Sequence, residues 1–288
     1  MIRIDEITRG RFGNRILQYN SLTQLAHTLG VEASCVTWEG HNFFDNLQVP
    51  MSSNGTAKVL YWYDILDCDI PRLNKDIDYV IGPYCLHNTF WELTKVDPRQ
   101  FLKINDKYKM QLPKNKTNIG IHIRGDDILG ADGNHGREIH PPEYYKKSID
   151  FVEEASRHAS EFSNTKYYVC TDDLNFISYV DTVKYLESKG IDYELGNKYD
   201  HFKDFATLSE CDVLIASSST FVVCAAFIGK ENKKIIHSQQ WVEKNVNHTP
   251  WHLIEDPPDV RKWQMSFDNF WVGLQNGGNK FYKIWRLL

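Results

Sequence analysis

Asn118-Ile-Gly-Ile-His-Ile-Arg-Gly-Asp-Asp127 is the stretch on which the fold turns. Ile119, Ile121 and Ile123 alternate with Gly120 and His122, the period of a β-strand. His122 and Arg124 are two apart, so extended chain projects both to one side. The strand ends by presenting an imidazole and a guanidinium beside a Gly turn. That arrangement suits an anion, because Arg is shaped to hold phosphate bidentately. The plain alternative is an ion pair of Arg124 with Asp126 or Asp127 that closes the strand end. Spacing alone does not separate the two.

Downstream, strands are expected at 166–170, 191–195, 212–216 and 234–237. They alternate with helices at 142–157, 202–211 and 221–228, and with one running toward Ser188 that Thr171-Asp172-Asp173 caps. Such alternation implies an α/β fold with a parallel sheet and right-handed crossovers. Ligands of these sheets sit at the carboxyl ends of the strands. Three polar strand ends, at 122–127, 171–173 and 217–220, then converge on one crevice.

Upstream, residues 1–7 form a first strand. Arg9-Gly-Arg-Phe-Gly-Asn14 is a Gly-rich turn, followed by a helix that Asn14 caps and Gly30 closes. A Gly-rich loop feeding a helix N-terminus favours an anion, which makes Gly13 and Asn14 candidates for phosphate contact. Residues 110–118 are polar, contain Pro113 and lack periodicity, so they read as a linker.

Each polar residue at these strand ends has two readings. Ser217, Ser218, Ser219 and Thr220 suit a phosphate or ribose, or simply cap the next helix. Asp172 and Asp173 are a helix cap and a solvent- or ligand-facing acid, with a divalent metal as the lesser alternative. Asp204 caps a helix or bonds a nucleobase. Asp132 is a turn former or a catalytic carboxylate.

Composition narrows the classes. The chain has 288 residues, 42% hydrophobic and 13% aromatic, enough for one large or two ordinary cores. A net charge of −5 without a basic run argues against nucleic acid as a partner. No stretch approaches the roughly 20 apolar residues of a spanning helix, and the N-terminus lacks a signal-peptide core. The six cysteines show no zinc spacing, and Cys170, Cys211 and Cys224 read as buried thiols. The expected compartment is the cytoplasm, although a lumenal domain cut from its anchor would look similar. The histidines show no metal-ligand spacing, so no metal site is expected.

Three segments together resemble the fucosyltransferase superfamily, above all its α-1,2-fucosyltransferase-like, family 11 branch. Gly10-Arg-Phe-Gly-Asn-Arg-Ile-Leu-Gln-Tyr19 is similar to that branch's Gly-x-x-Gly-Asn-x-x-x-Gln-Tyr opening. His122-Ile-Arg-Gly-Asp-Asp127 fits His-x-Arg-x-x-Asp, and the stretch from Asp204 to Thr220 resembles the third motif. Tyr144-Tyr-Lys-Lys-Ser-Ile149 sits where the branch has a similar helix.

The resemblance implies a GT-B-like pair of Rossmann-like domains. An acceptor-side domain would span 1–112 and a donor-binding domain 113–288, the C-terminal tail being free to pack back on the first. It implies inverting, metal-independent sugar transfer from a nucleotide sugar, GDP-fucose foremost, to a glycan hydroxyl, with no other cofactor. Arg124 would hold the β-phosphate, and His122 and Asp204 would lie near the guanine. Asp172, Asp173, Ser218, Ser219 and Thr220 would line the nucleotide pocket. Asp132 or Asp127 would take the acceptor proton. Two departures stand out: Gly125 replaces a frequent second arginine, and Val222-Val223 replace an aromatic pair. They leave another GDP-sugar or a UDP-sugar open as donor. A non-catalytic nucleotide-sugar or glycan-binding protein is the rival reading.

Overall fold

The computed structural model describes residues 1–7, 10–51, 56–60, 73–82, 97–125, 140–158, 164–197, 199–217, 219–230 and 233–236, with the backbone of 275–276 and 279–280. The chain divides into two compact units, one built on Met1–Lys107 and one on Tyr108–Asn247.

The first unit carries a parallel sheet of short strands in the order β2-β1-β5-β4. These are β1 (Ile2–Ile4), β2 (Ala33–Cys35), β4 (Lys58–Leu60) and β5 (Tyr79–Ile81). β3 (Phe44–Asp45) pairs antiparallel with β6 (Lys103–Ile104), beside the short helix α2 (Gly40–Phe43). Helix α1 (Phe12–Leu29) follows β1 and is buried on nearly every side. Such a helix must bury polar residues as well. Ser21 donates to the Leu17 carbonyl at 3.0 Å and Thr23 to the Asn20 carbonyl at 3.1 Å, so their hydroxyls stay satisfied inside. Gly30 ends α1 at φ 65, ψ 40, the left-handed conformation in which a side chain is strained.

One expectation fails here. Asn14 does not cap α1: the helix starts at Phe12, after Arg11, and Asn14 lies within its first turn. Gly10, at a positive φ of 79°, lies close against Asn14. A Cβ on Gly10 would fall 2.4 Å from the Asn14 side-chain nitrogen. Asn14 is occupied with packing against the turn that precedes it.

The second unit carries a parallel sheet in the order β11-β10-β7-β8-β9. Its strands are β7 (Thr117–Ile123), β8 (Thr165–Thr171), β9 (Tyr193–Leu195), β10 (Val213–Ile215) and β11 (Lys234–Ile236). The helices are α3 (Pro142–His158), α4 (Ile177–Ser188), α5 (His201–Glu210) and α6 (Thr220–Ile228). All seven residues of β7 are buried, as befits a central strand covered on both faces. Ile119, Ile121 and Ile123 pack with Tyr145, Ile149 and Val152 of α3 and with Tyr179 and Leu186 of α4. Gly120 faces the opposite helices. A Cβ there would fall 2.7 Å from the side chains of both Leu208 and Leu214, so the missing side chain is what lets α5 lie close on the sheet.

A two-residue pair, β12 (Gln275–Asn276) with β13 (Asn279–Lys280), completes the described strands. Cys35, Cys170, Cys211 and Cys224 are buried thiols without a disulfide. Among the described residues no helix is long and apolar enough to cross a membrane.

Candidate functional site

β7 lies between β10 and β8, all parallel, so their carboxyl ends stand side by side. Polar side chains link the three ends in pairs. His122 Nδ1 lies 2.6 Å from Ser217 Oγ, and Arg124 donates to Ser219 Oγ at 3.3 Å. On the other flank the Gly125 N–H donates to Asp172 at 2.7 Å. His122 and Arg124 do project to one side, toward the segment joining β10 to α6. The convergence expected from the strand ends is present.

Each residue is held by its own element. The His122 ring stacks on Phe221 at 5.3 Å between centroids, and Phe221 meets Phe205 edge-on at 5.2 Å. Polar and aromatic contacts therefore both fix the imidazole. Ser219 is the N-cap of α6, accepting from the Phe221 N–H at 3.3 Å. Its hydroxyl thus joins the helix N-terminus to Arg124, and a helix start adds favourable potential for an anion. Thr220 is the first residue of α6.

Two capping expectations are overturned. Thr171-Asp172-Asp173 does not cap the following helix: α4 begins at Ile177, with Phe176 at its N-cap position. Instead the segment folds into a tight turn. The Asp173 N–H donates to Thr171 Oγ1 at 3.1 Å, and the Asn175 N–H donates to Asp173 at 2.9 Å. This turn leaves the Asp172 carboxylate directed at Gly125. Asp204 does not cap α5 either, because Asp200 takes that place by accepting from the Lys203 N–H at 3.1 Å.

Asp204 sits inside α5 and is 6% exposed. It accepts from the Asn197 N–H at 2.8 Å, and the Cys170 thiol bonds to it as well. Burial lifts its pKa to about 6, with the Asn197 bond opposing the shift. Asn197 and Gly196, which leads out of β9, could not have been found from the sequence without knowing that β9 ends against α5. Tyr144 on α3 was quoted only as part of a helix pattern. Its hydroxyl bonds the carbonyls of Ala216 at 2.9 Å and Ile236 at 3.1 Å, bracing the ends of β10 and β11.

Asp127, Asp132 and Ser218 lie outside the described residues. Among the described residues no group of three or more His, Cys, Asp or Glu side chains could hold a metal.

Two parallel α/β units of this kind define a class of fold, the GT-B-like one. The chain matches POFUT1 in complex with GDP-fucose at a TM-score of 0.50 and 11% identity, over 82% of this chain and 96% of that one. POFUT1 in complex with GDP gives the same TM-score and identity, over 82% and 98%. Arabidopsis thaliana FUT1 in complex with GDP aligns over 83% of this chain and 69% of its own, with 13% identity and a TM-score of 0.48. The two POFUT1 matches establish the fold. No curated protein matches the sequence. The model of glycosyl transferase family 11 matches residues 88–252, and the chain belongs to that family. It is a glycosyltransferase of the fucosyltransferase-like kind, as the three sequence motifs had implied.

Proposed function

We propose that the protein transfers fucose from GDP-fucose to a glycan hydroxyl, with inversion and without a metal. The observation that carries this reading is Arg124, set between three cross-linked strand ends and tied through Ser219 to the start of α6. Loss of a nucleoside diphosphate builds negative charge on the β-phosphate. A fixed guanidinium beside helix amides stabilises that charge in a pre-organised site. The sugar ring develops oxocarbenium character while the acceptor hydroxyl attacks its opposite face.

His122, on the same strand face as Arg124, lies near the guanine together with Asp204. Asp204 supplies a buried acceptor for ring N–H groups of guanine, a role favoured by a carboxylate whose burial is offset by few donors. Asp132 or Asp127 takes the acceptor proton. In this reading the second unit holds the donor and the first unit meets the acceptor. The GDP and GDP-fucose carried by the solved POFUT1 structures support GDP over UDP.

Titration calorimetry with GDP and UDP, together with turnover of GDP-fucose, tests the reading. GDP binding tenfold or more tighter than UDP, with transfer to a glycan, is the expected result. Preference for UDP would overturn the donor assignment.

A further inference from the structure

The turn between β8 and α4 grips one glycine from two sides. Asp172 accepts the Gly125 N–H at 2.7 Å. On the same residue a Cβ would fall 2.5 Å from Phe176 Cγ, 2.7 Å from Phe176 Cβ and 2.9 Å from Phe176 Cδ1. Phe176 is itself anchored, 5% exposed within the core shared by α3 and α4. The segment from 171 to 176 is rigid for local reasons, since Thr171 and Asp173 close it with side-chain-to-backbone bonds and the Phe176 N–H donates to the Asp173 carbonyl at 3.3 Å. One preformed turn therefore holds Gly125 by its amide and by its bare Cα.

We propose that Asp172 is a positioning residue that acts on Arg124 through the Gly125 backbone, and that it does not contact the donor. Arg124 is the last residue before the grip, and its guanidinium is held on the far flank by Ser219. The two ties leave the Arg124 backbone fixed on one side by β8 and its side chain directed on the other by α6. An arginine that must meet a developing charge gains from such fixing, because displacement by about 1 Å can lower a rate roughly 100-fold. The grip also excludes any side chain at 125, so the cation at this strand end is Arg124 without a neighbour at the next position. This proposal rests on the reading that Arg124 meets the donor diphosphate.

The test compares Asp172→Ala, Asp172→Asn and Gly125→Ala by kcat and KM for GDP-fucose, with amide exchange at residue 125 as a readout independent of turnover. Asp172→Ala is expected to lower kcat about 30-fold with KM changed less than about threefold, and to lose protection of the Gly125 amide at least tenfold. Asp172→Asn keeps an acceptor oxygen and recovers at least a third of the lost rate and most of the protection. Gly125→Ala alone lowers kcat similarly. In the double variant with Asp172→Ala the losses overlap and do not multiply, since both act on one backbone segment. A rise in KM at unchanged kcat would mean that Asp172 touches the donor and would overturn the proposal. So would unchanged protection of the Gly125 amide in a folded Asp172→Ala. If the wild type turns over no GDP-fucose, the donor reading fails, and the exchange data alone decide whether the grip exists.

Discussion

The two units are built from the same alternation of strand and helix, yet they place their polar residues differently. In the second unit polar side chains stand at the strand ends, where His122, Arg124 and Asp172 reach across to neighbouring elements. Among the described residues of the first unit a polar set is sunk into α1, where Gln18, Asn20, Ser21, Thr23 and Gln24 are all buried. At the first unit's Gly-rich opening, Arg15 donates to the Gly10 carbonyl at 3.1 Å and pairs with Glu39 at 2.8 Å. Side chains at the strand ends of the second unit are placed to serve a ligand, whereas those buried inside α1 pack within the fold. The comparison teaches where chemistry sits in a two-unit α/β chain.

The strongest test of that contrast is Arg124. Arg124→Ala is expected to lower kcat by about 10² to 10³-fold, the usual size for losing one stabiliser of developing charge, while thermal unfolding stays near that of the wild type. Near-normal turnover would erase the functional difference between the units.

Next comes Lys233, which is fully buried and donates to the carbonyls of Leu208, Ser209 and Cys211 at 2.9, 2.7 and 2.8 Å. It plugs the C-terminal end of α5, and its three donors match three acceptors. Burial pulls its pKa down to about 8, so it remains largely an ammonium at neutral pH. Lys233→Met strands those carbonyls and should cost roughly 3 kcal/mol or more, read by denaturant unfolding. Exchange protection within α1 should be unaffected.

Asp204 gives an effect of similar size that depends on pH. Its pKa is about 6 when folded, against 3.8 for the free group. The neutral acid is the form favoured by folding. Its contribution is complete below the unfolded value and is lost as pH rises through about 6, a change of roughly 3 kcal/mol. Asp204→Asn should therefore flatten the fall in stability between pH 4 and 7 and raise Tm at pH 7.5, while weakening GDP binding. A variant as pH-sensitive as the wild type would assign the burden to another group.

The smallest effect belongs to the first unit. Gly30→Ala meets open space but must adopt φ 65, which should cost about 1 kcal/mol. Faster amide exchange in the last turn of α1, with unchanged exchange in β7, would confirm that the units open separately.

Parts of both units could be read from the sequence. The Ile119, Ile121, Ile123 alternation and the Gly30 stop carry strong local signals, and the structure places a strand and a helix end there. The adjacency of the three strand ends followed from parallel topology alone. Caps were the weak point. Asn14, Asp172 and Asp204 each have the right chemistry, but α1 starts before Asn14, and Gly125 and Asn197 hold the other two carboxylates by their N–H groups. Lys233 lies in the polar run Lys230-Glu-Asn-Lys-Lys234, just before the strand expected at 234–237. Only the folded chain reveals that Lys233 points inward, to the carbonyls at the end of α5.

Gly120 has a consequence for anyone redesigning the donor preference. Leu208 rests in the space that Gly120 leaves empty, and Asp204 lies one turn earlier on the same face of α5. A single methyl group on a central strand would therefore act as a shim, lifting the helix and carrying the buried carboxylate with it. Selectivity for the nucleotide would then be tuned from beneath the sheet, by a residue that touches no ligand.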